Sequence, residues 1–174
     1  MKNRTELVKY FAQLGFKRGA EIGVAYGFFS KRLLEEIPNL NLICVDPWLR
    51  RRRPEAYAEA IKVLLPYPGA TIIQAFSMDA VRLIPYEWLD FVYIDADHTY
   101  ESVQNDIQEW TKRVRKGGIV SGHDYYEGRS HTMGVIQAVD EYIKEHQYEL
   151  KLTDWDLKNP ERDERQPSWY FLKK

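Results

Sequence analysis

A single cysteine, Cys44, excludes an intrachain disulfide and any zinc centre built from thiolates. An excess of charge of either sign is missing as well. The 25 basic and 26 acidic residues nearly cancel, which argues against a chain organised globally around phosphate contacts. No run approaches the 18 apolar residues of a membrane span. The first residues, Met1-Lys2-Asn3-Arg4-Thr5-Glu6, are too charged for the apolar stretch of a signal peptide. Internal repeats, low-complexity tracts and linker composition are also lacking. These absences lead us to expect one domain over residues 1–174 and a cytoplasmic location. What is abundant is aromatic: 12 Tyr, 7 Phe and 5 Trp can fill a core and line a pocket.

Apolar patterning alternates between short β-rich runs and longer stretches of helical period. Strands are expected at 20–22, 40–45, 70–75, 91–94 and 119–120, with helices at 5–14, 28–37, 55–65, 100–114 and 134–146 and a short helical turn at 78–83. Thr5 is an expected helix cap, Thr99 is another with Asp95 and Asp97 as alternatives, and Lys116-Gly117-Gly118 is an expected turn. Two further strands, 148–153 and 168–172, have no helix between them. Residues 153–167 join them, and 8 of these 15 are charged, so the connection belongs at the surface. Such alternation predicts an α/β fold with a mainly parallel sheet covered on both faces and an antiparallel final pair.

In an open α/β sheet, ligands bind beyond the carboxyl ends of the strands. Three strands here end on acid-containing motifs, at Asp46, Asp95 and Asp124, and a fourth opens into a glycine turn. A sheet with a purely structural role has no reason to gather carboxylates on one rim. The turn reads Glu21-Ile22-Gly23-Val24-Ala25-Tyr26-Gly27. Its Gly-x-x-x-Gly spacing lacks the third glycine of the dinucleotide fingerprint and the Lys-Ser/Thr pair of a P-loop. Glu21 beside it disfavours a phosphate. An ordinary strand-to-helix turn is the competing explanation. Asp46 lies 25 residues beyond Glu21 at the end of the next strand, where a carboxylate can accept hydrogen bonds from ribose hydroxyls; a turn role before Pro47 is the alternative.

Taken together, these segments resemble the class I S-adenosylmethionine-dependent methyltransferases. Glu21 to Gly27 resembles that superfamily's glycine motif, and Asp46 falls on its ribose-binding acid. Tyr93-Ile94-Asp95-Ala96-Asp97-His98-Thr99-Tyr100, Lys116 to Tyr125, Gly134-Val135 with Ala138-Val139-Asp140-Glu141, and Pro167 to Phe171 resemble a small-molecule O-methyltransferase branch. The likeness runs from about Lys17 to Phe171. It implies a Rossmann-like seven-stranded sheet with a reversed last strand, and S-adenosylmethionine as cofactor. Carried over residue by residue, it gives a cofactor site of Glu21, Gly23, Val24, Tyr26, Gly27, Asp46, Pro47, Ser77, Met78 and Asp95. Trp48 is placed with Met78 beside the adenine, or in the core.

Metal-dependent members of the resembling branch place ligands where Asp95, His123 and Asp124 stand, and some carry a catalytic His at the position of His98. A divalent metal, Mg or Mn, is therefore open here. His123 departs from the usual oxygen ligand, and imidazole suits manganese, iron or zinc better than magnesium. Without a metal, His98 or His123 serves as base. The expected catalytic residues are His98, Asp95 and Asp124, acting on a hydroxyl of a small molecule such as a sugar, polyketide or phenol. Residues 125–133, with Tyr125, Tyr126 and His131, read as a lid or as a plain surface loop. Two other functions compete: a cofactor-binding domain without catalysis, and a nucleic-acid methyltransferase using Arg50-Arg51-Arg52-Arg53. The balanced net charge counts against the second. Membrane partners are not expected, and a homo-oligomer remains open.

Overall fold

The computed structural model describes residues 1–49, 53–127 and 133–174. Its elements follow in the order α1 (Arg4–Gln13), β1 (Arg18–Ile22), α2 (Phe28–Glu36), β2 (Asn41–Asp46), α3 (Arg53–Leu64) and β3 (Ala70–Gln74). Then come α4 (Ser77–Ala80), β4 (Leu89–Ile94), α5 (Tyr100–Thr111), β5 (Val114–Gly122), α6 (Met133–His146), β6 (Lys151–Leu152) and β7 (Trp169–Leu172). Single 3-10 turns follow at Val81–Leu83 and Arg162–Glu164.

The strands form one seven-stranded sheet in the order β3-β2-β1-β4-β5-β7-β6. β1 to β5 run parallel, and β7 is antiparallel to both β5 and β6. The Rossmann-like, mostly parallel sheet with a reversed last strand is thus present. β7 lies inside β6, so the two-residue β6 is the exposed edge; a short edge offers little template for unwanted pairing.

Burial follows the two-residue period of a strand. Along β4, Val92 and Ile94 face one core with β5's Val120, β7's Phe171 and the helices α5 and α6. Phe91 and Tyr93 face the other core with α1, α2 and α3. All six residues of β4 are buried, as expected of a strand covered on both sides. Trp110 and Trp169, both at most 1% exposed, are the largest fully buried side chains. Among the described residues no helix is long and apolar enough to cross a membrane.

Several local expectations are corrected. α1 is capped by Asn3, not Thr5: Asn3 Oδ1 accepts from Glu6 N at 3.1 Å, while the Thr5 hydroxyl donates to Glu164 Oε2 at 2.8 Å. Asn3 Nδ2 also donates to Asp156 at 2.9 Å, so both ends of the amide are committed. Asn3→Ala is therefore expected to lower stability by about 2 kcal/mol, a cap plus a buried hydrogen bond. Urea unfolding checks this, and a loss below about 0.5 kcal/mol would show the cap to be idle. The turn expected at 116–118 is instead part of β5, which continues through it with a register shift against β4. An added Cβ at Gly118 would meet Asp90 O at 2.5 Å, so the glycine lets the two backbones approach. α5 stops at Thr111, three residues short of expectation, because Val114 already pairs with Leu89. β6 is shorter than expected because Tyr148 stacks on Phe171 with ring centroids 4.6 Å apart, outside the ladder. The cap expected at Thr99 is present, its side chain accepting from Ser102 N.

Candidate active site

Asp46, Asp95 and Asp124 lie at the carboxyl edge of the sheet. After β1 the chain turns at Gly23, whose φ of 95° suits glycine, and Gly23 N donates to Val45 O at 2.8 Å. The turn is fastened to β2 through Asp46. One Asp46 oxygen accepts from Ala25 N at 3.0 Å and the other from Trp48 N at 2.7 Å. Gly27, at φ 82°, opens α2. A parallel register sets Ile22 beside both Val45 and Ile94, which brings the ends of β1, β2 and β4 together.

These ends enclose a cavity of about 400 Å³, within the range of small-molecule sites. Of the expected cofactor residues, Gly23, Asp46, Pro47, Ser77, Met78 and Asp95 line it. Glu21, Val24, Tyr26, Gly27 and Trp48 do not. Glu21 is 2% exposed and accepts a hydrogen bond from Ser30 Oγ; burial pushes its carboxyl up to about 8, against the pull of that bond. Val24 and Trp48 are core residues, and Trp48 Nε1 donates to Ala25 O at 2.8 Å. Tyr26 is exposed and stacks on Phe28.

Sequence reasoning missed part of the lining: Leu49, Phe76, and the α5 residues Ser102, Asn105 and Asp106. The last three were detectable in principle, since a polar i, i+3, i+4 stripe on an otherwise amphipathic helix marks a polar face. Asp106 is buried, accepts from the Ser77 hydroxyl, and Trp110 Nε1 donates to the same hydroxyl at 2.8 Å. Burial outweighs the Ser77 bond and pushes the Asp106 carboxyl up to about 6.

Beside the cavity, β4 and β5 deliver the rim. Ile94 pairs with Gly122, and His123 N donates to Ile94 O at 3.0 Å, so Asp95 and His123 are brought side by side. Asp124 adopts φ 58°, an uncommon conformation for a non-glycine residue. His98 Nε2 lies 3.2 Å from Asp124 Oδ2 and 3.7 Å from Asp95 Oδ1. His123 Nδ1 lies 3.2 Å from Asp124 Oδ1 and 4.0 Å from Asp95 Oδ2. The neighbouring Asp95 carboxylate raises the His98 pKa above the usual imidazole value; burial opposes it and the Asp124 charge adds to it. Burial pushes Asp95 the other way, but His98, His123 and Arg4 together hold its carboxyl below the usual range.

Asp95, His98 and Asp124 each offer one ligand atom, all within 4.8 Å of one another. Two carboxylates with one imidazole suit a divalent ion such as manganese better than magnesium. His98 belongs to this group, and His123, the expected ligand, lies beside it. His123 is buried, and its Nε2 has no hydrogen-bond partner among the described residues. Asp97 serves a local turn, accepting from Thr99 N at 2.9 Å. Beyond Asp124, Tyr125 OH donates to Asp140 at 2.6 Å, and Tyr126 packs edge-on against Trp155 beside a second, open cleft. Residues 128–132 of the expected lid, His131 among them, lie outside the described residues. So do Arg50, Arg51 and Arg52 of the arginine run.

Uncharacterized protein R132 of Acanthamoeba polyphaga mimivirus is 28% identical over 114 residues, 63% of this chain and 52% of that one. The chain thus spans about half the length of this curated relative. Among solved structures, the O-methyltransferase TomG of Streptomyces achromogenes, in complex with S-adenosylmethionine, superposes with a TM-score of 0.74 at 14% identity. That match covers 98% of this chain and 80% of TomG. An O-methyltransferase of Bacillus cereus in complex with S-adenosylhomocysteine gives 0.73 at 14% identity, covering 98% and 80%. At such identities the likeness is one of fold. The family model of a methyltransferase domain matches residues 20–125, which hold the glycine turn, Asp46, Asp95, His98 and Asp124. With more than half of its residues matched, including the whole carboxyl-edge site, this chain is a member of that methyltransferase-domain family.

Proposed function

We propose that this protein transfers a methyl group from S-adenosylmethionine to a hydroxyl of a small-molecule acceptor. The observation that carries the reading is the cavity itself: Gly23, Asp46, Ser77 and Asp95 come from four different segments yet wall one space of cofactor size. Gly23 allows close backbone approach, and a carboxylate at the end of β2, where Asp46 stands, suits ribose hydroxyls. The acidic surroundings favour a cationic sulfonium over a phosphate. Methyl transfer needs donor and acceptor held close and in line, and a rigid rim supplies that positioning.

The acceptor hydroxyl must lose its proton. His98, held by Asp95 and Asp124, is the group we assign to take it. This assignment favours an enzyme over a cofactor-binding domain without catalysis, which has no need of the paired imidazole and carboxylates. The donor set of Asp95, His98 and Asp124 also fits a divalent cation. Bound there, such an ion would lower the pKa of the acceptor hydroxyl. The small-molecule acceptor is supported by the O-methyltransferases of the same fold.

The test is calorimetric titration of chelator-treated protein with S-adenosylhomocysteine, with and without manganese. Binding with a Kd on the order of 10 μM or tighter is expected, a free energy of about −7 kcal/mol. No heat at 1 mM ligand would remove the reading. A separate manganese heat that disappears in Asp124→Ala would identify the metal form, and its absence would leave His98 as the base.

A further inference from the structure

Arg4 stands outside the cavity, yet its side chain is buried near the start of the chain. It is 8% exposed and lies in the opening turn of α1. Its guanidinium lies over the Phe29 ring, 4.5 Å from the centroid. Nε donates to Glu164 Oε1 at 3.1 Å, and Nη1 lies 3.7 Å from Asp95 Oδ2. Glu164 is 1% exposed and also accepts from Thr5 N at 3.2 Å and the Thr5 hydroxyl at 2.8 Å. Arg32 extends the network, donating to Thr5 Oγ1 at 2.6 Å and to Glu161 at 2.7 Å.

Glu164 belongs to the charged connection between β6 and β7, which forms a strap. Its ends are joined by Thr153 N to Ser168 O and Ser168 N to Thr153 Oγ1, each 2.9 Å. Asp154 N donates to Met1 O at 2.8 Å, so the strap is also pinned to the start of the chain. A continuous path therefore runs from strap to Glu164 to Arg4 to Asp95, and Asp95 is shared by the cavity and the rim.

We infer that Arg4 is a positioning residue for Asp95, held in place by the strap through Glu164. A guanidinium that served only to satisfy Glu164 would need no second carboxylate. The planar fork, clamped by Glu164 at Nε and Phe29 on one face, turns Nη1 to Asp95 and Nη2 to the exposed Asp163, 3.9 Å away. Nη1 lies nearest Oδ2 of Asp95, and Oδ1 faces His98. Outer groups that orient a functional carboxylate in this way set its geometry without touching the ligand.

The link to cofactor and catalysis rests on the function proposed above, but the contact itself is tested without any ligand. R4M alone would leave Glu164 buried and unpaired, so R4M/E164Q, which removes both charges, is the working background. D95N is introduced into the unaltered protein and into R4M/E164Q, and urea midpoints are compared. D95N is expected to lower the midpoint at least twice as much when Arg4 is present. Equal shifts in the two backgrounds overturn the inference, because Arg4 would then serve Glu164 alone. The second readout is the ratio of affinities for S-adenosylmethionine and S-adenosylhomocysteine, which differ by one positive charge. Loss of Arg4 is expected to raise that ratio about threefold, and R4K to preserve it. A ratio in R4M/E164Q no higher than in E164Q alone, a comparison that changes only the Arg4 charge, also overturns the inference. If the unaltered protein binds neither compound, the proposed function falls, and the urea comparison still decides the role of Arg4.

Discussion

Gly23→Ala is expected to abolish cofactor binding, with S-adenosylhomocysteine affinity falling at least about 100-fold, or roughly 2.7 kcal/mol. The added Cβ would sit 2.0 Å from Asp95 O and 2.8 Å from Ala96 Cα. Both obstacles are backbone, so no rotamer change relieves the clash. The φ of 95° is unfavourable for alanine as well. The end of β4 is tied to β1 by Asp95 N donating to Ile22 O at 2.7 Å, so neither strand can yield alone. Moving them apart displaces Asp95, which both lines the cavity and forms the rim. Stability should fall by about 2–4 kcal/mol as well. Calorimetry and urea unfolding on the same preparation check both effects. An alanine variant that binds with unaltered affinity would show that the cavity at Gly23 is not the cofactor site.

Asp124→Ala is expected to reduce methyl transfer by about 10²- to 10⁴-fold, the range of a lost general acid–base function. Cofactor affinity should change less than about threefold, because Asp124 does not line the cavity. The carboxylate sits between two imidazoles, 3.2 Å from each, and its removal frees both. The measurement is S-adenosylhomocysteine release from S-adenosylmethionine across a panel of hydroxylated aromatics and sugars, paired with calorimetric affinity. Undiminished release would dismiss the rim as the catalytic centre. In the unaltered protein, kcat/KM should rise with pH through an apparent pKa above about 6.5. The sign follows from His98: a base must be neutral to accept a proton, and its carboxylate neighbours keep it protonated to higher pH. Asp124→Ala removes part of that attraction, so the rising limb of any residual activity should move to lower pH.

Much of this architecture was legible in the residues themselves. The run Phe91-Val92-Tyr93-Ile94 has strong β character, and it forms the central buried strand. Asp46 ends a strand and Asp95 and Asp124 follow one, so the parallel sheet had to collect them on one edge. The Gly23 turn was legible because glycine is required where φ is positive and backbones meet. Local competition defeated other expectations. Thr5 looked like a cap, but Glu164 takes its hydroxyl and Asn3 caps instead. Gly117 and Gly118 looked like a turn, but pairing with β4 carried the strand through them. In each case a distant partner outweighed a local preference.

Sequence by itself thus determined the alternation of strands and helices, the reversed last strand, and the gathering of acids around a glycine turn. These follow from period, residue type and the short reach of neighbours along the chain. Only the tertiary structure decided how those acids are partnered. It set His98 between Asp95 and Asp124, and it turned His123 toward Asp124. It withdrew Glu21 and Trp48 into the interior, and it brought Arg4 to Glu164, 160 positions away. A side chain's residue type is written in the chain, but its partner is fixed by which surfaces pack together. Burial then makes that partnership costly to leave unmet.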